Sequence, residues 1–341
     1  MFDNLIGDEE AAAIGMNSTW VKLKQLLLGR NKIGDKGGAL IVANTTWVYL
    51  DEISLEENEM RDKTAIAIRE NTTWINLKEL SLNKNRIGDE GAASIESNTT
   101  WIDIKRLQLA ENEIGYKGAI AIGDNTTWIN LQELCLSRNR IGDDGAMAIG
   151  SNTTWTNLVI LQLQQNEIGD KGAIAIGKNT IWSQLKKLAF NQNRIGDEGA
   201  TAIGTNTMWT KLVTLNLGVG HKGVAAISNN TTWTLLKKLA LNGNQIGDEG
   251  VVSIGSNTTW ENLLTLDLRK NEIGDKGAGA ISRNTTWRGL TNLYLNDNKI
   301  SDKGAMAIGK NTSWSLLRVL HLDRTNIGDE GAVFIGTKTA W

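Results

Sequence analysis

The sequence predicts an α/β solenoid wound from repeated strand–turn–helix units. Three observations predict it. First, tryptophan recurs at Trp20, Trp47, Trp74, Trp101, Trp128, Trp155, Trp182 and Trp209, each 27 residues after the last. One step of 24 leads to Trp233, and the spacing of 27 resumes at Trp260, Trp287, Trp314 and Trp341. Second, the residues between the tryptophans repeat as W-x-x-L-x-x-L-x-L-x-x-N-x-I-G-D-x-G-A-x-A-I-G-x-N-T-T. Third, the apolar period changes inside each unit, from that of a strand to that of a helix.

The elements follow in order along one unit. Leu131, Leu134 and Leu136 end in a one-apart pair, which predicts a short strand with one face inward. Asp143 then stands where a helix N-cap belongs, its carboxylate able to accept from the first free N–H groups of its own helix. Ala146, Ala148 and Ile149 continue as a small inward helical face. Asn152 ends the helix, and the same site is Asn in nearly every unit (Asn17, Asn44, Asn71, Asn98 and onward, with Lys338 the exception). Asn tolerates the left-handed conformation that closes many helices, so that conformation is expected there. The whole chain then predicts twelve parallel strands and thirteen short helices.

The run L-x-x-L-x-L-x-x-N-x-I resembles the leucine-rich-repeat core, and G-D-x-G-A-x-A-I resembles its ribonuclease-inhibitor-like class. The resemblance spans essentially the whole chain, 1–341, as one domain of about twelve repeats. It implies a horseshoe with a parallel sheet on the concave face and helices on the convex face. Asn31, Asn58, Asn85, Asn112, Asn139, Asn166, Asn193, Asn244, Asn271 and Asn298 resemble the family's asparagine ladder. A tryptophan at the unit start departs from the aliphatic residue more usual in the family. It reads as a bulky core filler whose indole N–H finds a nearby backbone acceptor.

Composition bounds the function. A net charge of −2 and a pI near 5.9 give no basic field for phosphate backbones, so no nucleic acid is expected. The single Cys135 excludes an intrachain disulfide framework. The opening MFDNLIGDEE is acidic without an apolar signal core, and no run approaches a membrane span, so a cytoplasmic location off the membrane is expected. Both ends read as uncapped, which is expected of a fragment of a longer chain, of degenerate self-capping, or of end-to-end assembly.

Two units break the pattern. Met60, Arg61 and Thr64 replace the usual Ile, Gly and Gly, and Leu217-Gly-Val-Gly-His-Lys-Gly223 lacks three residues including the ladder Asn. There His221 stands at the expected N-cap, as a replacement cap or a solvated loop residue. Tyr116 takes another Asp site, and Thr325 interrupts the ladder, with Asn326 expected to compensate by a one-residue shift.

Chemistry motifs are nearly absent. His221, His321 and Cys135 make no zinc set and no Cys–His pair adjacent in register, and I-G-D-x-G lacks the G-K-[ST] of a phosphate loop. The row Asp35, Asp89, Asp143, Asp170, Asp197, Asp248, Asp275 and Asp302 could suggest calcium. Adjacent helices stand about 10 Å apart, too far for one ion at its ~2.4 Å bond length. Capping accounts for the row better. The N-T-T triplets read as turn residues. No catalysis, no cofactor and no metal are expected.

The inward sites barely change between units while the outward strand sites change in nearly every one. Solenoid faces of that kind read partners. Glu52 and Glu56 make an acidic start, Gln162, Gln164, Gln165, Asn191 and Gln192 an amide-rich centre, and Asp267, Arg269, Tyr294 and His321 a mixed aromatic and charged end. Gln108 and Asn216 join Glu52, Glu56, Gln162, Gln164 and that last group as candidate partner-binding residues. The expected function is therefore a non-catalytic scaffold that binds a protein partner on the concave face. Ran GTPase-activating proteins look similar across this repeat class, which makes regulation of a small GTPase the alternative. The sensing region of an innate-immune receptor or bacterial effector is a further one. A titration of stimulated GTP hydrolysis separates the first two.

Overall fold

The computed structural model describes residues 1–337, so Lys338 and Trp341 lie outside the described residues. The chain forms two compact units, Met1–Ile176 and Gly177–Trp341.

In the first unit the strands are β1 (Gln25–Leu27), β2 (Glu52–Ser54), β3 (Glu79–Ser81), β4 (Arg106–Gln108), β5 (Glu133–Cys135) and β6 (Ile160–Gln162). They run parallel and pair in sequence order. The helices between them are α1 (Asp8–Gly15), α2 (Asp35–Val42), α3 (Asp62–Glu70), α4 (Asp89–Glu96), α5 (Tyr116–Asp124) and α6 (Gly142–Ser151). Then α7 (Asp170–Lys178) carries the chain onward. The second unit repeats the plan with β7 (Lys187–Ala189), β8 (Thr214–Asn216), β9 (Lys238–Ala240), β10 (Thr265–Asp267), β11 (Asn292–Tyr294) and β12 (Val319–His321). Its helices are α8 (Asp197–Gly204), α9 (His221–Ser228), α10 (Gly247–Ser256), α11 (Asp275–Ser282), α12 (Asp302–Gly309) and α13 (Asp329–Gly336).

From β1 to β11 each strand buries its middle residue, and most flanking residues stay at least partly exposed. In β2, Ile53 is buried between half-buried Glu52 and Ser54. Away from the terminal repeats, where Trp20 and Leu320 are half-buried, the Trp, Leu and Ile rows are sealed, with Trp128, Leu131, Leu134, Leu136, Ile141 and Ile149 all at 0 % exposure. At about 1.5–3 kcal/mol for each fully buried large side chain, this continuous core is the main stabilising term. The tryptophan expectation fails in one respect. Every indole N–H from Trp47 to Trp314 is buried without a protein acceptor. The rings pack as apolar bulk, and Trp20 stacks on Trp47 at 6.5 Å.

The strand-exit ladder is as expected. The Asn58 amide donates to the Leu28 and Leu55 carbonyls and accepts from the Ile33 N–H at 3.0 Å. The residue before each ladder Asn takes the left-handed conformation, as at Arg30 (φ 56°) and Glu57 (φ 52°). Thr325 fills its ladder site directly, its hydroxyl donating to the Leu322 carbonyl at 2.7 Å. Asn326 makes no shift into that role; its backbone N–H bonds Ile300.

The helix-closing asparagines are extended rather than left-handed, with φ −63° and ψ 129° at Asn152. They form a second ladder instead. The Asn152 amide donates to the Gly123 and Asn125 carbonyls of the preceding repeat and accepts from the N–H groups of Thr154 and Trp155. Both ends of the amide are used, so these N-T-T triplets are built into the fold.

The aspartates correct the sequence reading most. Asp is the first residue of most of these helices and the second of α6 and α10, the N-cap is usually the preceding Gly, and among the described caps no Asp side chain caps its own helix. Its carboxylate instead accepts from the start of the next repeat's helix. Asp8 bonds the Gly34 and Gly37 N–H groups at 2.8 Å each, and Asp89 bonds Gly115 and Gly118 at 2.8 and 2.7 Å. His221 opens α9 behind the N-cap Gly220, so it is no replacement cap. In that shortened repeat β8 keeps both pairings, and the Val219 N–H still donates to the Asn244 side chain at 2.9 Å.

Candidate functional site

The outward strand residues form the open face of the sheet. In the first unit, Glu52 pairs in register with Gln25 and Glu79, and accepts from the Gln25 amide at 2.7 Å. Burial, and after it the Glu79 carboxylate, raises the Glu52 pKa. Glu79 is itself held by Arg106. Glu56 accepts from the Ser81 hydroxyl at 3.2 Å. Gln108 lies on β4 between Ser81 and Cys135, and Gln162 on β6 reaches Glu133 at 3.5 Å. Gln164 has its side-chain oxygen buried without a protein partner. These five therefore sit on β2, β4 and β6 or just beyond, with a strand between each group. They line one face without converging on one point.

In the second unit, Asn216 lies on β8 between Ala189 and Ala240. Its side-chain oxygen is buried without a protein partner. The other four predicted residues do converge. Asp267, Tyr294 and His321 are direct neighbours across β10, β11 and β12. The Tyr294 and His321 rings stand 5.1 Å apart at 58°, and the Arg269 guanidinium lies 5.4 Å from the centre of the Tyr294 ring. Such cation–ring and tilted ring pairs are each worth about 0.5–1.5 kcal/mol.

Asp267 and Arg269 depart from a simple outward reading. Asp267 is only 6 % exposed, because Arg269 folds over it through two bonds of 2.9 and 2.7 Å. The Asp267 carboxylate, hydrogen-bonded to the guanidinium, raises the Arg269 pKa further. Arg269 thus presents a guanidinium already fixed in place, with its outer surface shared between the Tyr294 ring and solvent.

Two contributors escaped the sequence reading. Arg324 approaches Asp297 at 3.0 Å and Asp323 at 3.6 Å, and Asp323 lies 3.6 Å from His321. Arg324 and Asp297 belong to the left-handed row, whose charges alternate as Lys270, Asp297 and Arg324. The first unit alternates likewise, Glu57 bridging Arg30 at 3.4 Å and Lys84 at 2.8 Å. The Lys84 hydrogen bond is the main reason the Glu57 pKa is lowered. That alternation is visible in the sequence at 27-residue spacing.

Among the described residues no group of three His, Cys, Asp or Glu side chains gathers as a metal would need. No described helix is long and apolar enough to cross a membrane.

Comparison with known proteins agrees with this architecture. The family model described as Leucine Rich repeat matches residues 21–42, 75–95, 103–123, 129–150, 156–177, 184–204, 234–255, 261–282, 290–309 and 315–336. These segments make up well over half of the sequence, and the chain belongs to the leucine-rich-repeat family. The unmatched stretches hold the two irregular units, with Met60 and with His221. No curated protein matches the sequence.

Among solved structures, an internalin from Listeria monocytogenes is similar with a TM-score of 0.67 at 21 % identity, over 97 % of this chain and 87 % of that one. A Leptospira interrogans leucine-rich-repeat protein gives 0.54 at 18 % identity, over 93 % and 88 %. A TDR receptor gives 0.52 at 14 % identity, over 95 % of this chain and 59 % of that one. At these identities the likeness is one of fold alone.

Proposed function

We propose that this chain is a protein-binding scaffold without catalytic chemistry of its own, and that it reads its partner on the open face of the sheet. The observation that carries the reading is the joined set of Asp267, Arg269, Tyr294 and His321. Tyr and Arg anchor interfaces more than other residue types, and here both are held in one geometry before any partner arrives. The separate amide-bearing positions Gln162, Gln164 and Asn216 suit a wetter surround, and Glu52, Glu56 and Gln108 a second polar zone. We also assign the repeats to the ribonuclease-inhibitor-like class, a reading supported by an α-helix in each repeat.

A photo-crosslinking residue placed at Tyr294 tests the reading. The expected result is a defined protein adduct formed there and not from the helix positions Lys171 or Glu198. Adducts from the helix positions alone would overturn the assignment to the sheet face.

A further inference from the structure

One row on the first unit has no structural role that accounts for it. The residue after each Trp is Val21, Val48, Ile75, Ile102 and Ile129 in five successive repeats, and Thr156 in the sixth. These five are 41–56 % exposed. Each sits at the second position of a tight turn, closed for Ile75 by the bond from the Leu77 N–H to the Trp74 carbonyl at 3.1 Å. Turn corners favour Gly, Pro, Asn, Asp and Ser, so a β-branched aliphatic residue gains nothing locally there. The same position in the second unit is polar throughout, at Ser183, Thr210, Thr234, Glu261, Arg288 and Ser315.

The row is continuous and held in register. Asn76 donates to the Val48 carbonyl at 2.9 Å, Asn130 to that of Ile102 at 3.3 Å, and Asn157 to that of Ile129 at 3.1 Å. With repeats about 5 Å apart, the side chains make an unbroken stripe roughly 20 Å long. It offers on the order of 400 Å² of aliphatic surface, about half of the roughly 800 Å² each partner buries in a standard interface. The stripe is within the size range of the largest apolar patch on a typical monomer, which is often functional. It lies on the turn flank, apart from the sheet face discussed above.

We propose that the stripe is the contact between two copies of this chain, packed antiparallel about a two-fold axis that crosses it at Ile75. The neighbouring row favours this occupant. It reads Lys22, Tyr49, Asn76, Asp103 and Asn130. In the antiparallel pair Tyr49 faces Asp103 twice, a hydroxyl against a carboxylate. Lys22 faces Asn130 and Asn76 faces its own copy, so no like charges in this row meet. The aliphatic side chains pair as Val21 with Ile129, Val48 with Ile102, and Ile75 with itself. A self-complementary surface of this kind is what an isologous dimer requires.

Sedimentation of the full chain, with disulfide trapping under oxidised glutathione, tests the dimer. The expected result is a reversible dimer whose dissociation constant rises by about tenfold or more in Ile75→Asp, a loss typical of central contacts. Thr156→Asp, in the same row beyond the stripe, leaves it unchanged. Ile75→Cys alone should form a covalent dimer, Ile129→Cys alone should not, and Val21→Cys mixed with Ile129→Cys should; the native Cys135 is buried. A wild-type chain that stays monomeric at about 100 µM overturns the proposal. So does a dimer indifferent to Ile75→Asp, or Ile129→Cys self-trapping as fast as Ile75→Cys.

Discussion

The Asp248 carboxylate accepts the backbone N–H of Gly277, 29 residues on, at 2.8 Å, and so caps a helix that is not its own. The Gly274 N–H reaches the same oxygen at 2.8 Å. Each such aspartate ties its own repeat to the start of the next, so one residue supplies both a helix cap and an inter-repeat link.

The two repeats that follow a missing aspartate show what the link does. Tyr116 and His221 stand at Asp sites, and in the repeats after them Gly142 and Gly247 turn to φ 61° and 60°. Their N–H groups swing to the Asn166 and Asn271 carbonyls at 3.0 and 2.9 Å. No heavy atom crowds a Cβ at Gly247, so only its positive φ resists substitution there. His221→Asp should let Gly247 return to extended backbone and should raise stability by about 1 kcal/mol. Gly247→Ala should then cost about 1 kcal/mol in the native sequence and close to nothing beside His221→Asp. Urea unfolding of the four proteins of that cycle checks it; equal costs in both backgrounds would refute the link.

The tryptophans give a second prediction. A buried donor without an acceptor costs about 1–3 kcal/mol, and Trp128 carries one in a fully buried ring. Trp128→Phe removes that donor and leaves a small void, a loss of about 1 kcal/mol, so the two effects nearly cancel. Trp128→Ala should cost about 3–5 kcal/mol. Thermal unfolding distinguishes the two; a phenylalanine variant as damaged as the alanine variant would mean that the indole N–H has a partner.

Acid should act in opposite directions on two carboxylates. Burial pushes the Asp275 pKa up, but the Ser301 hydroxyl and the N–H groups of Ser301 and Gly304 outweigh it and hold the pKa low. Its stabilising contribution is present above the unfolded aspartate value of about 3.9 and is lost as pH falls through the lower folded value. Glu52 is raised by burial and by Glu79, so its ionised form weakens the fold above the raised pKa. That penalty fades as pH falls toward the unfolded value of about 4.3. Glu52→Gln should therefore stabilise at neutral pH and lose its advantage near pH 4, while Asp275→Asn should destabilise at neutral pH and converge with wild type only in stronger acid. Denaturation midpoints across that range decide it.

The repeat itself was legible because its core is written once and copied. The positions of Leu134, Trp128 and Ile149 recur from repeat to repeat, so spacing placed the strands and helices, and the resemblance to leucine-rich repeats supplied the strand-exit ladder. The links between successive repeats were not legible, for a related reason. With a period of 27, a bond from Asp248 to Gly277 has the same sequence signature as one to its own helix two residues on. Asn152 likewise fits a helix end equally well in left-handed or extended form. Only coordinates show that its amide reaches back to Gly123. On the outward face, the grouping of Asp267, Tyr294 and His321 followed from register. The folding of Arg269 onto Asp267 did not, because nothing in residue order says which of its neighbours a long side chain will choose.

That choice separates the two obvious substitutions in the candidate patch. Arg269→Ala would strip the Asp267 carboxylate of its two guanidinium bonds and of the side chain that covers it, a loss of about 1–3 kcal/mol. Asp267→Ala together with Arg269→Ala removes both partners and should recover most of it. Tyr294 supports no such pair. Its hydroxyl has only a 3.4 Å contact with Asn292, so Tyr294→Ala should cost stability only through its ring pairs with Arg269 and His321, about 0.5–1.5 kcal/mol each. If the patch anchors a protein, Tyr294→Ala should still weaken binding by about 2 kcal/mol or more, as expected at an interface hot spot. Unfolding and binding measured on the same three variants keep the two roles apart. Binding that follows only the stability of the Asp267–Arg269 pair, and ignores Tyr294, would move the anchor away from this face.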